Sequence, residues 1–388
     1  MFSKNINFRS FDHKSKNLKI KKDLKNILNQ SSEILQSLTK AYKYQYNKSL
    51  IKKIKKEKIL KIIGMGGSIL GARAIHDFLK HKIKKKIIFY DNLESNIKNK
   101  SKGTNIIISK SGNTLETIAN ANILIKQNEK NIFITEYKDS YLRSLALKLK
   151  AEIINHNNFI GGRYSVMSEV GMLPAELMGL NESKFKQLNN LIKNKNFINL
   201  LVSNVSSTLF FMKNKKFNSI ILNYDDSSNN LFRWYQQLIA ESLGKKGKGI
   251  LPIISSMPKD NHSLMQLYLD GPKNNFFTFF HAKEKNTSKI NDSEILKSHS
   301  YLQNKTLEKI KFSQKLATEN VFLKKNIPFR SFEVINKNEK SLGELFCFFI
   351  LETILLGKAL KVNPYDQPSV ELIKEETKKI LVKKIFRK

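Results

Sequence analysis

Short, predominantly apolar runs alternate with helical segments along most of the chain, and this alternation restricts the fold more than any other feature. The first run, 59–63, precedes a glycine-rich turn. Strands that are apolar throughout and separated by helices are typical of a parallel sheet covered on both faces. The pattern predicts strands at 59–63, 86–90, 105–109 and 131–135, and helices that end at 79 and span 115–127 and 141–149.

The same pattern starts again after a polar stretch near 181–199. It predicts strands at 219–224, 249–254, 276–281 and 330–335, and helices at 230–243, 262–269 and 342–360. Residues 1–45 have apolar positions at helical spacing, and 371–388 has the pattern of a basic helix. We therefore predict an α/β fold of two doubly wound parallel-sheet domains, each with three α-β-α layers. The predicted boundaries are 1–50 for a helical N-terminal arm, 51–185 and 200–362 for the two domains, and 363–388 for a C-terminal loop and helix.

The composition indicates a globular chain outside the membrane. The 388 residues leave room for two or three domains, and a hydrophobic fraction of 40% can fill their cores. The longest apolar run, 345–356, is too short for a membrane helix and contains Glu352. The first residues lack the apolar stretch of a secretion signal, and the single cysteine, Cys347, excludes an internal disulfide. These features predict a cytoplasmic protein with no membrane partner.

The chain is strongly basic. Lysine and arginine number 69 against 33 aspartates and glutamates, which gives a formal net charge of +36. Such a charge attracts phosphate-bearing partners, and nucleic acid is the first class to consider. The lysines are spread along the whole chain, however, and arginine, which reads base edges, is scarce. We therefore predict a solvated basic surface and no nucleic-acid partner, while a small anionic substrate remains compatible with the charge.

Two turns between a strand and a helix contain the residues of an anion site. In the first, 64–68, Gly67 allows the backbone to approach a ligand, and Ser68 follows it. A plain tight turn is the alternative there. In the second, hydroxyls and a lysine gather at a helix start, which suits a phosphate monoester; helix capping by Thr114 and Thr117 is the alternative. The candidate residues of this second turn are Ser109, Lys110, Ser111 and Thr114.

Farther along the chain are an arginine and a carboxylate that suit acid/base chemistry. Arg163 lies in the segment GGRYS, where flanking glycines let its guanidinium reach an oxyanion, although a surface loop has the same appearance. Gln237 and Glu241 are four residues apart and share one face of a helix. A carboxylate partly buried beside apolar groups can act as a general base. The alternative is a solvated Glu241 that pairs with Lys245.

Two further segments contribute candidates. His262 opens a helix and can act as an acid or base, although most lone histidines are structural. The segment 363–374 contains Gln367 and Lys374. The remaining histidines have no spacing typical of metal ligands, and we therefore predict no metal site.

From residue 64 to 374 the chain resembles the phosphoglucose isomerase family. The resemblance follows, in order, the segments GGS, SKSGNTLET, GGRYS, QQLIAESLGK, DNHSLMQLYLDG and NPYDQPSVELIK. The fourth of these is the most specific. The resemblance implies two sugar isomerase (SIS) domains, which agrees with the two α/β units. It also implies a homodimer with shared active sites, and a reaction without metal or other cofactor.

The resemblance implies, for each matching residue, a role in catalysis or in the binding of a sugar phosphate. Arg163 stabilises the negatively charged intermediate, and Glu241 moves the proton between C1 and C2. His262 assists ring opening from the partner subunit, together with Lys374 at the ring oxygen. The implied substrate-binding residues are Gly67, Ser68, Ser109, Lys110, Ser111, Thr114, Gln237 and Gln367.

The implied reaction is the interconversion of glucose 6-phosphate and fructose 6-phosphate through ring opening and a cis-enediolate, in glycolysis and gluconeogenesis. The alternatives are a dual phosphoglucose/phosphomannose isomerase and a non-catalytic SIS protein that binds a sugar phosphate. One departure from the family pattern is Ser369, which stands where the family commonly has glycine.

Overall fold

The computed structural model describes residues 2–11, 18–97, 102–126 and 128–385. In chain order its strands are β1 (Ile6–Arg9), β2 (Ile59–Gly64), β3 (Lys86–Tyr90), β4 (Thr104–Ile108), β5 (Asn131–Thr135), β6 (Glu152–Asn155), β7 (Asn218–Asn223), β8 (Leu251–Ser256), β9 (Asn275–Ala282) and β10 (Phe329–Val334). The α-helices are α1 (Leu18–Asn29), α2 (Glu33–Ser37), α3 (Lys48–Ile54), α4 (Leu70–Phe78), α5 (Leu115–Leu124), α6 (Tyr141–Lys148), α7 (Glu169–Leu177), α8 (Leu188–Ile192), α9 (Lys195–Lys213), α10 (Asn229–Leu243), α11 (Met265–Asp270), α12 (Leu307–Lys324), α13 (Glu339–Leu360) and α14 (Val370–Ile385).

The first sheet has the strand order β3-β2-β4-β5-β6, and every pair in it is parallel. All five residues of β4 are buried, as expected for a strand with helices on both faces. The strand order reverses between β2 and β4, and open α/β sheets bind ligands beyond the carboxyl ends of the strands at such a reversal. The predicted α/β architecture is therefore confirmed for this unit, and its two candidate anion turns follow β2 and β4.

The second sheet has the order β1-β10-β9-β7-β8. Its four later strands are parallel, whereas β1 runs antiparallel to β10 and pairs Ile6 with Val334. The prediction of a helical N-terminal stretch is therefore wrong at Ile6–Arg9. The physical reason is that Ile6 and Phe8 alternate with polar residues, so one face of a short edge strand is buried. Phe8 packs on the ring of Phe332, at a centroid distance of 4.4 Å.

Several predicted boundaries also shift. The strand predicted at 249–254 is β8, and the helix predicted at 262–269 begins later, as α11. A single turn of 3-10 helix, Lys259–His262, precedes it. The predicted end of the helix 115–127 lies outside the described residues, and α5 ends at Leu124. The domain boundaries at 51–185 and 200–362 stay a prediction. Within the described residues, no helix is both long and apolar enough to cross a bilayer.

The two α/β units meet through α10. This helix packs on α4 of the first unit and on α13 of its own unit. Trp234 of α10 is buried, and its indole Nε1 donates a hydrogen bond of 3.1 Å to the backbone oxygen of Arg163. Because Gln237 and Glu241 belong to the same helix, this packing brings their side chains to the first unit.

A buried ion pair anchors α10 on its other side. Arg330 of β10 pairs with Glu352 of α13, and both side chains are 2% exposed. Tyr235 of α10 donates to the second carboxylate oxygen of Glu352 at 3.0 Å, and Arg330 also donates to Thr278 at 2.9 Å. Buried charges require such partners, because an uncompensated charge in the interior is strongly destabilising.

We predict that Glu352→Gln lowers the free energy of unfolding by about 3–5 kcal/mol, because it leaves the Arg330 charge buried without a counter-charge. The measurement is the urea midpoint of the purified variant. Glu376→Gln is the matched control, because Glu376 forms an exposed helical pair with Lys379 and should change stability by less than about 1 kcal/mol. Equal midpoints for the two variants would contradict the prediction.

Candidate active site

The turn after β2 forms one wall of the candidate site. Gly66 has a φ of +55°, which favours glycine, and a Cβ there would lie 3.0 Å from Nε2 of Gln237. A Cβ on Gly67 would lie 2.2 Å from the carbonyl carbon of Gly162. Gly67 therefore excludes a side chain, and Gly66 disfavours one, so that the backbone of this turn can contact the segment of Arg163 and the side chain of Gln237. Ser68 is half-buried beside them.

The turn after β4 holds the second group of candidates. Ser109 is buried, and its Oγ lies 2.8 Å from Oγ1 of Thr114. Thr114 occupies the N-cap position of α5, but its side chain makes no capping hydrogen bond. The capping interpretation is therefore wrong for Thr114. Ser111 is exposed. The Nζ of Lys110 donates a hydrogen bond of 2.8 Å to the backbone oxygen of Asn158.

Arg163 lies at the centre of the cluster and is 2% exposed. Its Nε donates to Oγ of Ser242 at 2.8 Å, and its Nη1 donates to Gln367 at 2.6 Å and to Glu241 at 3.2 Å. Its Nη2 donates to the backbone oxygens of Pro364 and Asp366, at 2.7 and 3.0 Å. A guanidinium has five N–H groups, so every donor of Arg163 is in use. The surface-loop interpretation of this arginine is wrong.

Glu241 is held between two polar neighbours. One carboxylate oxygen accepts from Nε2 of Gln237 at 2.8 Å and the other faces Arg163. The side chain remains 30% exposed, so it can reach a ligand. Lys245 does not pair with Glu241; its Nζ lies 2.7 Å from a carboxylate oxygen of Asp366. The interpretation of Glu241 as a solvated partner of Lys245 is therefore wrong.

Gln237 has one polar atom without a partner. Its Oε1 is buried and has no hydrogen bond among the described residues. Buried polar atoms are normally hydrogen-bonded, and each exception requires an explanation. This oxygen lies beside the Gly66 turn and next to Glu241, where a donor from a bound ligand would satisfy it.

Two hydroxyl groups, not predicted as site residues, support Arg163 from behind. Tyr164 donates to the Pro364 oxygen at 3.1 Å and lies 2.9 Å from Oγ of Ser242. Burial raises the pKa of Tyr164 to about 12, so its hydroxyl keeps its proton. Since that proton goes to Pro364, Ser242 is the donor to Tyr164, and its lone pair accepts from Arg163. The only sequence feature that could have indicated Tyr164 and Ser242 as site residues is that they directly follow Arg163 and Glu241.

His262 and Lys374 do not join this cluster within one chain. His262 is exposed in the 3-10 turn, which Asp260 holds by accepting from the backbone N–H of Ser256 at 2.8 Å. Lys374 is exposed on α14 and pairs with Glu371 at 2.7 Å. Among the described residues, no hydrogen bond or ion pair connects either side chain to the Arg163 cluster.

The cluster contains a cation that can stabilise a negative charge and a carboxylate that can transfer a proton. In the part of the chain that the structure describes, no group of three or more His, Cys, Asp or Glu side chains is arranged to hold a metal ion. The structure brings together the carboxylate of Glu241, the guanidinium of Arg163 and the amides of Gln237 and Gln367. The two turns that follow β2 and β4 lie at the same edge of the first sheet.

Comparisons with known proteins agree on one family. The family model for phosphoglucose isomerase matches residues 11–385. A glucose-6-phosphate isomerase from Methanocaldococcus jannaschii is 33% identical over 346 residues, which cover 82% of each chain. One from Mycoplasmopsis pulmonis is also 33% identical, over 84% of this chain and 83% of its own.

Solved structures share the fold. A hypothetical protein from Thermus thermophilus superposes with a TM-score of 0.79 at 21% identity, over 94% of both chains. A glucose-6-phosphate isomerase from Chlamydia trachomatis superposes with a TM-score of 0.70 at 19% identity, over 96% of this chain and 76% of its own. Taken with the family-model match over nearly the whole chain, these findings show that the chain belongs to the phosphoglucose isomerase family.

Proposed function

We propose that this protein is a glucose-6-phosphate isomerase, which interconverts glucose 6-phosphate and fructose 6-phosphate. The observation that carries the proposal is the position of Glu241, a partly exposed carboxylate held by Gln237 and Arg163 at the junction of the two units. An aldose–ketose isomerase needs one base beside a cation, and this pair supplies both. The reaction would serve glycolysis and gluconeogenesis in the cytoplasm.

The phosphate group would bind at the turn after β4. Its hydroxyls lie in the loop that leads into α5, whose N-terminal backbone N–H groups and helix dipole favour an anion. Lys110 belongs to the same loop, and its Nζ now contacts Asn158 and Glu136, from which it would turn to the phosphate. Gly67 and Ser68 of the neighbouring turn would complete this subsite. The phosphate does not react, and its contribution is to fix C1 and C2 of the sugar against the carboxylate. The residues of the subsite after β4 are Ser109, Lys110, Ser111 and Thr114.

Glu241 would carry the proton between C1 and C2. Once the ring is open, its carboxylate removes the proton from one carbon and returns it to the other, through a cis-enediolate. The negative charge that develops on oxygen requires a nearby donor. Arg163 can supply one only if an Nη1 donor leaves its present acceptor, because all five donors are in use. Gln367 is the acceptor that an enediolate oxygen would replace.

Ring opening would depend on His262 and Lys374, with His262 coming from a second copy of the chain. The exposed positions of both side chains support this, since neither meets the cluster of its own chain. The helix α14 supports it as well, because Leu372 and Ile373 leave apolar surface at 66% and 70% exposure. Contiguous apolar surface of this kind is typical of an interface. We therefore propose a homodimer with shared active sites.

We predict that Glu241→Gln lowers kcat for glucose 6-phosphate by about 10²–10⁴-fold, because the variant retains the shape but loses the base. The measurement is fructose 6-phosphate formation at saturating substrate. Substrate binding should persist, since the phosphate subsite is unchanged. An equal kcat in variant and wild type would rule out Glu241 as the base. Mannose 6-phosphate serves as the control substrate and should not be converted.

We predict that Ser242→Ala lowers kcat by about tenfold with little change in KM, because the loss of one hydrogen bond to Arg163 misplaces its guanidinium. Ser207→Ala is the matched control: Ser207 is also a buried helical serine, but it bonds only to the backbone oxygen of Ser203. A similar fall in both variants would show that the effect is general destabilisation. Activity of Tyr164→Phe should fall in the same way, because it breaks the same chain of hydroxyls.

We predict that Glu241→Gln and His262→Ala are each inactive alone, and that co-expression of the two variants gives active protein. A hybrid dimer has one site in which both residues are intact, so random pairing should give about a quarter of the wild-type activity. The two variants, purified separately and mixed under conditions in which dimers do not exchange subunits, should stay inactive. If co-expression restores nothing, the shared site is wrong, while the isomerase activity itself is tested separately by the wild-type protein.

A further inference from the structure

A second cavity lies at the edge of the second sheet and shares no lining residue with the Arg163 cluster. Its volume is about 470 Å³, within the range of small-molecule sites. It opens beyond the carboxyl ends of β9 and β10. The strand order of this sheet reverses between β7 and β9, since β8 lies on one side and β10 on the other. Open α/β sheets bind ligands beyond the carboxyl ends of their strands, most often at such a reversal, and this cavity lies one strand away from it.

The inner wall of the cavity has polar groups without partners. His281 is 2% exposed, and neither ring nitrogen has a hydrogen bond among the described residues. Its Nε2 lies 3.0 Å from Glu308, but the contact is out of line for a hydrogen bond. Oε2 of Glu308 is also buried without a partner. A ligand that hydrogen-bonds here would satisfy groups that are costly to leave bare.

Burial disfavours the charged forms of both groups on this inner wall. It lowers the pKa of His281 to about 4 and raises the pKa of Glu308. Most charged groups that face the pair are matched with one another, as the pairs Lys337–Asp225 at 3.0 Å, Lys311–Glu284 at 3.3 Å and Lys315–Glu319 at 2.9 Å. Glu333, which lines the cavity and lies opposite His281 in the strand register, instead accepts a hydrogen bond from Asn7 at 3.4 Å. A neutral imidazole beside a carboxyl group fits hydroxyls, which both donate and accept.

The remaining walls add a ring face and a basic mouth. The ring of Phe312 lies 5.1 Å from that of His281 and gives the cavity an apolar wall. Lys283 and Lys309 are exposed at the mouth, where they can bind an anionic group without desolvation of either lysine. The threonines Thr287 and Thr306 add hydroxyls between these two regions.

We propose that this cavity is a second binding site, which takes a small polyhydroxylated molecule with an anionic end, of the sugar-phosphate class. The hydroxyls contact His281 and Glu308, the apolar side of the carbon chain packs on Phe312, and the anion binds Lys283 and Lys309. The site is separate from the proposed active site and does not depend on the proposed activity.

The test counts bound glucitol 6-phosphate, which has no carbonyl group and cannot be isomerised. Isothermal titration of the full chain should show that the double variant Lys283→Ala/Lys309→Ala loses one equivalent per chain, or binds it at least about tenfold more weakly. Both lysines are exposed, so the variant should fold normally. Lys285→Ala is the matched control, because Lys285 is exposed on the same loop but does not line the cavity.

Inorganic phosphate and glucitol, titrated separately, distinguish the two halves of the ligand. Phosphate alone should bind the second site more weakly than glucitol 6-phosphate, and His281→Leu should remove that difference. The proposal is wrong if every variant binds the same number of equivalents, or if phosphate binds as tightly as glucitol 6-phosphate. Because the criterion is the equivalent lost in the lysine variant, the result is readable even if the Arg163 cluster binds no sugar phosphate.

Discussion

The saturated guanidinium of Arg163 is the interaction on which the arrangement of the site depends. Its five donors join three parts of the chain that are distant in sequence: its own segment in the first unit, α10 of the second unit and the loop before α14. A buried guanidinium must have all its donors satisfied, because each unmade hydrogen bond costs desolvation energy. This requirement fixes Glu241 and Gln367 relative to each other.

The same saturation has a consequence for catalysis. An arginine that is fully bonded in the free protein is held in place, yet it has no spare donor for a developing oxyanion. If a substrate oxygen replaced Gln367 as an acceptor, Arg163 would still have all five donors in use while negative charge develops on that oxygen. In this exchange Gln367 moves while the guanidinium stays in place, and donors fixed before the reaction lower a barrier. The unpartnered oxygen of Gln237, whose amide nitrogen donates to Glu241, is a second atom that a ligand would satisfy.

The regular elements were largely predictable because their signals are local. The strands of the first unit are mostly apolar, and most of them were predicted to within one residue, as β3 and β5 show. The strand β1 was missed because it has only four residues, whose alternation gives a weak signal until β10 lies beside it. The 3-10 turn before α11 was missed for a similar reason, since Asp260 shapes it through contacts with the end of β8.

Sequence alone determined the family, the succession of strands and helices, and the segments that form the site. These follow from residue type and spacing, which the chain carries whatever its conformation. Tertiary structure decided which candidates meet: it joined Glu241 to Arg163 in place of Lys245, and it left His262 and Lys374 apart from them. The same folding created the cavity beside His281. These outcomes depend on distances between remote segments, because hydrogen bonds and buried charges are satisfied only when the two units pack.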